Sequence, residues 1–124
     1  MASVRYIVQG VDDAIKFYER LGFEVQMHPG PGFAMLQRED LRLLLNTPAG
    51  GGGAGQPMPD GTLPEPGGWT RFQLEFDDLE ATVEELAAAG VTFRSDIIEG
   101  NGGKQVVAND PSGNAIELFQ PARR

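Results

Sequence analysis

The clearest pattern of hydrophobic and polar positions lies in the second half of the chain. Residues 71–76 alternate polar and apolar side chains, which is the period-two pattern of a strand with one buried face. Leu79, Val83 and Leu86 follow at positions i, i+4 and i+7, the spacing of an amphipathic helix. Asp78 suits the N-cap of that helix, and Gly90 suits the left-handed position that ends it. The pattern therefore predicts a strand, a helix and a glycine stop.

The same pattern occurs earlier in the chain. A shift of 68 positions places residues 4–25 over residues 72–93. The first copy has its own apolar row in Val11, Ile15 and Tyr18, and it ends at Gly22. A short apolar segment follows each glycine, as expected for a second strand. The repeat predicts two copies of one structural unit.

Two further strands are predicted in each copy. In the first they are Phe33–Gln37 and Leu41–Asn46, and in the second they are Gln105–Ala108 and Ala115–Phe119. The turn Asp110–Asn114 has Asp, Pro and Gly at the first, second and fourth positions, which suits a type I turn. We therefore predict an α+β fold of two tandem βαβββ modules, spanning residues 1–47 and 69–124 of a single domain over residues 1–124.

The segment that joins the modules, residues 48–68, has an unusual composition. Of its 21 residues, 8 are Gly and 5 are Pro. A segment of this composition buries too little apolar surface to offset the conformational entropy that it would lose on ordering. The composition therefore favours a flexible connector. A long loop in a compact domain is also often functional, so a mobile lid over a binding site is the alternative.

Composition and charge exclude several classes of function. The chain has no cysteine, so disulfides, thiol nucleophiles and thiolate-bound zinc are excluded. His28 is the single histidine, which excludes any site with several histidines. A net charge of -8 argues against nucleic acid and anionic membranes as partners. We see neither a membrane-spanning run nor a signal peptide, and we expect a cytoplasmic protein.

Three segments together resemble a known family. Val11–Phe23, Phe76–Gly90 and Asp110–Pro121, with the βαβββ repeat, resemble the vicinal oxygen chelate superfamily of glyoxalases, bleomycin resistance proteins and dioxygenases. The resemblance implies a cup-shaped mixed sheet with the helices outside, and it implies a homodimer. Many members hold a divalent metal on four side chains, typically His, Gln or Glu. Others carry no metal and sequester an antibiotic or another small molecule.

The resemblance also identifies the positions that would hold a metal. Each module has one such position on its first strand, seven residues before the helix caps at Gly10 and Asp78. Each module has a second such position on its last strand. In this sequence the four positions hold Ser3, Leu44, Arg71 and Glu117. Only Glu117 is a metal ligand, and the charge of Arg71 repels a cation. We therefore predict no metal or other cofactor, while an atypical divalent site remains an alternative.

Strand alternation predicts which side chains face the cup. Arg71 and Glu117 should lie on this face together, so we expect either an ion pair in place of a metal or an arginine that binds an anionic ligand. Trp69 is expected in the core or in the pocket wall. The candidate ligand-binding residues are Ser3, Arg5, Arg42, Leu44, Arg71, Gln73, Glu117, Phe119 and Trp69.

Three residues near strand ends have less specific predictions. His28 lies in a Pro/Gly segment, where exposure to solvent is expected and a role as general base is the alternative. Lys104 and Gln105 are expected on the surface of a hairpin, with contact to a ligand as the alternative.

Three functions follow from these observations. The first is a glyoxalase-like or bleomycin-resistance-like protein that binds a small organic ligand without the usual metal. The second is an enzyme of the same superfamily, a lyase, isomerase or dioxygenase, with an atypical metal or with acid–base chemistry at Glu117 and Glu75. The third is a non-catalytic dimeric interaction domain. The fold alone does not choose among them.

Overall fold

The computed structural model describes residues 1–49 and 53–122 of the chain. The chain forms two compact units, Met1–Gly67 and Gly68–Arg124. Each unit contains one helix and one sheet with both parallel and antiparallel strands. The predicted α+β class is thereby confirmed. In the described part of the chain neither helix is long and apolar enough to cross a membrane.

The first unit is a four-stranded sheet with one helix. Its sheet order is β1-β4-β3-β2, with β1 parallel to β4 and the other neighbours antiparallel. Its elements are β1 (Ala2–Ile7), α1 (Val11–Arg20), β2 (Glu24–Gly30), β3 (Phe33–Arg38) and β4 (Leu41–Asn46).

The core of the first unit lies between α1 and one face of the sheet. Tyr18 is fully buried and makes edge-to-face contacts with the rings of Phe17 and Phe23. Leu43 and Leu45 of β4 are fully buried as well, whereas Leu44 between them is not. One face of the sheet is therefore packed within the unit. The opposite face, which carries Arg5 and Leu44, is here called the open face, and the same name is used for the face of the second sheet that carries Glu117.

The second unit has five strands and one helix. Its sheet order is β5-β9-β8-β6, with β7 paired to β8 and with β5 parallel to β9. Its elements are β5 (Gln73–Glu75), α2 (Leu79–Ala88), β6 (Thr92–Phe93), β7 (Ile98–Gly100), β8 (Gly103–Asn109) and β9 (Ala115–Pro121).

Local signals place α2 and the last hairpin. Asp78 caps α2, and its side chain accepts a hydrogen bond from the Ala81 amide at 3.0 Å. Gly90 ends the helix with a φ of 93°, as Gly22 ends α1 with a φ of 94°. In the Asp110–Asn114 turn, the Gly113 amide donates to the Asp110 carbonyl at 3.0 Å, as in the predicted type I turn. These predictions are confirmed.

The second strand of the second module differs from the prediction. Residues 91–93 were expected to form it alone, but β6 has two residues and a separate strand, β7, also pairs with β8. Residues 94–96 form a bend between β6 and β7. No alternation of polar and apolar residues marks β7, so the sequence pattern missed it.

The described part of the predicted connector belongs to the first unit as far as Gly67, and most of its residues are exposed. Gly55 is buried, and the Met58 amide donates to the Thr62 carbonyl at 2.7 Å within a tight turn. Residues 50–52 of the connector lie outside the described residues. The flexible connector and the lid both remain predictions.

Candidate functional site

Glu117 is the centre of a hydrogen-bonded cluster on the open face of the second sheet. It lies on β9, opposite Gln73 of β5 and Val107 of β8. Its neighbours Ile116 and Leu118 are fully buried on the other face, so alternation along β9 directs the Glu117 side chain to the open face. The residue is only 9% exposed. A carboxylate with so little exposure requires polar partners.

Arg71 and Gln73 supply those partners. Arg71 donates to Glu117 Oε1 from Nε at 3.0 Å, and its Nη2 lies 2.9 Å from the same oxygen. Gln73 Nε2 donates to Glu117 Oε2 at 2.7 Å. Both carboxylate oxygens are therefore engaged, one by a cation and one by an amide. The ion pair predicted between Arg71 and Glu117 is present.

The corresponding place in the first unit has different chemistry. Arg5 of β1 lies opposite Leu44 of β4, as Gln73 lies opposite Glu117. Leu44 is thus the counterpart of Glu117 by strand register, and it offers no polar atom beyond its backbone. Arg5 instead donates from Nη1 to Oδ1 of Asn46 at 2.5 Å. Asn46 is 1% exposed, so this buried amide fixes the direction of the arginine.

A groove of about 870 Å³ lies beside Arg5 and Asn46 in the first unit. Phe33 pairs with Asn46 across β3 and β4, and Gly30 pairs with Phe33 across β2 and β3. These residues form one row and share a face of the sheet. The groove is lined by Arg5, Pro29, Gly30, Pro31, Gly32, Phe33, Asn46, Thr47, Gly53 and Ala54.

Most residues of the groove were not among the candidate ligand-binding residues, which include only Arg5 of this lining. The signal that marks the groove is the Pro29-Gly30-Pro31-Gly32 run between β2 and β3. Glycine contributes no side chain to fill the space, and proline restricts the backbone that surrounds it. The Thr47 amide donates to the Gly32 carbonyl at 3.1 Å and ties this run to the end of β4.

The residues at the family's metal positions do not fit a divalent metal. Ser3 and Leu44 provide at most one hydroxyl, and Glu117 is held by Arg71 and Gln73. Within residues 1–49 and 53–122, no group of three or more His, Cys, Asp or Glu side chains is arranged to hold a metal ion. A transition metal takes imidazole or several carboxylates, and Mg²⁺ or Ca²⁺ takes several oxygens. The donor set at these four positions is therefore inadequate for either.

Three other candidate residues lie outside the groove lining. The Arg42 Nε atom is buried and has no hydrogen-bond partner in the described part of the chain. Phe119 is half-buried and lies opposite Gln105 on the open face of the second sheet. Trp69 is 68% exposed, with the Arg94 guanidinium 4.4 Å from the centre of its ring. The prediction that Trp69 belongs to the core is wrong, because its ring packs on a cation at the surface.

His28 and Lys104 both pair with acidic residues of helices. His28 Nε2 lies 3.8 Å from Asp12 Oδ1 in the first turn of α1. Lys104 Nζ lies 2.7 Å from Glu80 Oε1 in the first turn of α2. Neither residue lines the groove of the first unit. The pairing of Lys104 with α2 supports the surface position predicted for it.

Comparisons with known proteins agree with this architecture. The family model described as the Glyoxalase/Bleomycin resistance protein/Dioxygenase superfamily matches residues 1–118. An uncharacterized protein of Mycolicibacterium smegmatis is 27% identical over 116 residues, which cover 94% of this chain and 89% of that protein.

Solved structures with the same fold include a superfamily member from Sphaerobacter thermophilus. It is 26% identical, with a TM-score of 0.74, and the match covers 97% of this chain and 95% of that chain. TnmS3, an antibiotic binding protein from a Streptomyces species, is also 26% identical. Its TM-score is 0.71, and the match covers 97% of this chain and 93% of that chain.

Proposed function

Because the chain belongs to the glyoxalase/bleomycin resistance protein/dioxygenase superfamily, we propose that it binds a small organic molecule in the groove of its first unit without a divalent metal. The observation that carries the proposal is the groove itself. Its volume of about 870 Å³ lies within the range of small-molecule sites, roughly 300–1,000 Å³. It combines apolar walls at Phe33, Pro29 and Pro31 with polar groups at Arg5 and Asn46. Such a combination is typical of pockets that select one ligand orientation.

The metal-free part of the proposal rests on Glu117. A carboxylate that ligates a metal must turn its oxygens toward the cation. In this chain both oxygens accept hydrogen bonds, and one of the donors is the fixed charge of Arg71. A divalent ion would have to displace these donors and tolerate the guanidinium beside it. The same contacts argue against Glu117 as a free general base.

The comparison with TnmS3 supports binding rather than catalysis. That protein is described as an antibiotic binding protein, and it shares the fold and 26% of aligned residues with this chain. The proposal assigns the same general activity, sequestration of a small organic molecule, without naming the molecule. It also retains a cytoplasmic homodimer as the expected state, and sedimentation of the purified protein tests the dimer.

A fluorescent titration tests the proposal. The neutral dye N-phenyl-1-naphthylamine brightens in apolar sites, and we expect saturable binding to the full-length protein. The variant Gly30→Leu places a side chain in the row of Phe33 and Asn46, where a Cβ atom meets nothing within 4 Å. It should fill the groove and abolish the binding.

A matched variant controls for the added leucine. Gly102→Leu adds the same side chain at an exposed glycine outside the groove, where a Cβ atom also meets nothing within 4 Å. It should bind the dye as the parent does, and treatment with EDTA should change nothing. Equal loss of binding in both variants, or loss on EDTA treatment, would overturn the proposal.

A further inference from the structure

Two arginines on the open faces of the two sheets have partners of different charge. Arg71 contacts the carboxylate of Glu117, so its charge is compensated within its own unit. Arg5 contacts the side-chain amide of Asn46, which carries no net charge. None of the ion pairs in residues 1–49 and 53–122 involves Arg5. Arg5 therefore holds its direction through a hydrogen bond and keeps its positive charge.

This uncompensated charge is informative in so acidic a protein. The chain has 18 acidic and 10 basic residues, so carboxylates are plentiful as partners for its cations. At Arg5 the side chain that fixes the guanidinium is nevertheless an amide, and that amide is 1% exposed. A carboxylate at the same place would hold the arginine equally well but would cancel its charge. The neutral partner preserves attraction for an anion from outside the chain.

The surroundings of Arg5 define the rest of the ligand. The hydrogen bond from Nη1 to Asn46 occupies one of the five N–H donors of the guanidinium. Arg5 is an exposed residue, and it belongs to the groove lining. The groove wall next to it is formed by the Phe33 ring and by Pro29 and Pro31. A cation in the lining of a largely apolar groove complements a molecule with an apolar body and an acid group.

We propose that the ligand is an organic anion, an apolar molecule that carries a carboxylate, sulfonate or phosphate group. Arg5 binds the acid group, and Asn46 is a positioning residue that directs Arg5 without neutralising it. This inference rests on the proposed function, because it assigns the chemical class of the molecule in the same groove. It adds the requirement that the ligand carries a negative charge, which the proposed function does not imply.

A pair of dyes separates the inference from the proposed function. 8-Anilinonaphthalene-1-sulfonate is N-phenyl-1-naphthylamine with an added sulfonate, so the two dyes differ by one anionic group. We expect the sulfonate dye to bind the parent protein about tenfold more tightly, as one charge-assisted contact allows. Arg5→Ala should remove this preference, because it should weaken the binding of the sulfonate dye about tenfold more than the binding of the neutral dye. Added salt should also reduce the preference.

Two further variants complete the test. Lys16→Ala removes the same charge from an exposed position on α1 and should leave the preference intact. Asn46→Asp keeps an acceptor beside Arg5 but adds a negative charge, and it should remove the preference as Arg5→Ala does. Asn46→Gln, which stays neutral, should retain more of the preference than Asn46→Asp.

The outcomes distinguish the two proposals. If the neutral dye binds in the groove but the sulfonate dye has no advantage, or if Arg5→Ala weakens both dyes equally, the anion inference is overturned and the groove remains. If neither dye binds the parent protein, the proposed function itself fails. Loss of preference in Arg5→Ala and Asn46→Asp, with Lys16→Ala unchanged, supports the inference.

Discussion

The guanidinium of Arg71 lies 2.9 Å from the carboxylate of Glu117, on the open face of the second sheet. Gln73 occupies the second oxygen of the same carboxylate. Of the four positions at which many members of the family hold a metal, only the one occupied by Glu117 has a carboxylate. Arg71 occupies another of the four. Two of the four positions are thus joined to each other by an ion pair.

Loss of the ion pair should lower the stability of the protein. The Glu117 side chain is 12% exposed, so Arg71→Ala leaves a poorly hydrated carboxylate with Gln73 as its remaining side-chain donor. We expect the free energy of unfolding to fall by about 1–3 kcal/mol, measured by urea denaturation. Arg20→Ala, at an exposed position in the last turn of α1, serves as the control and should cost less than about 0.5 kcal/mol. Equal effects of the two variants would contradict this role of the pair.

The hairpin between β7 and β8 depends on a glycine that tolerates no side chain. Gly103 has a φ of 144°, and a Cβ atom there would lie 2.1 Å from the Gln120 carbonyl oxygen. Gly103→Ala should therefore cost more than about 2 kcal/mol of unfolding free energy. A Cβ atom added at its cross-strand partner Gly100 would meet nothing within 4 Å, so Gly100→Ala should cost about 0.5 kcal/mol or less. Thermal unfolding of the two variants checks the difference, and similar values would refute the steric explanation.

The ion pair between Glu80 of α2 and Lys104 of β8 predicts that the pKa of Glu80 depends on Lys104. The hydrogen bond from Lys104 is the largest cause that holds the pKa of Glu80 below its ordinary value of 4.5. In Lys104→Met the pKa of Glu80 should rise toward that value, as measured by NMR of the side-chain carboxyl carbon. Because the folded-state pKa is lowered, the pair contributes stability above the unfolded-state pKa and loses it as the pH falls through the folded-state pKa. An unchanged pKa in the variant would rule out this contact.

Short-range patterns in the sequence were sufficient to predict several parts of the fold. Asp78 and Gly90 were identified as the ends of α2 because capping and left-handed backbone depend on the residue and its immediate neighbours. The Asp110–Asn114 turn follows the same logic. The Arg71–Glu117 pair was predicted from alternation combined with the repeat, since these together place two distant residues on one face of one sheet.

Other features depend on tertiary contacts that a single sequence does not encode locally. Trp69 was assigned to the core or to a pocket wall because it is an aromatic residue directly after the connector. Its ring instead packs on Arg94, whose Nε donates to the Asn109 side chain at 2.8 Å. Strand β7 forms because β8 presents an edge to it, although its own residues lack a strand pattern. The groove depends on the register that brings Phe33 and Asn46 opposite each other.

The most direct test of the metal-free claim is elemental analysis of protein purified without any chelator. The donors at the four positions, with Glu117 held by Arg71 and Gln73, predict zinc, nickel, iron and manganese far below stoichiometric amounts. They also predict that dye binding in the groove is the same before and after dialysis against EDTA. A stoichiometric content of any of these metals in the freshly purified protein would contradict the claim.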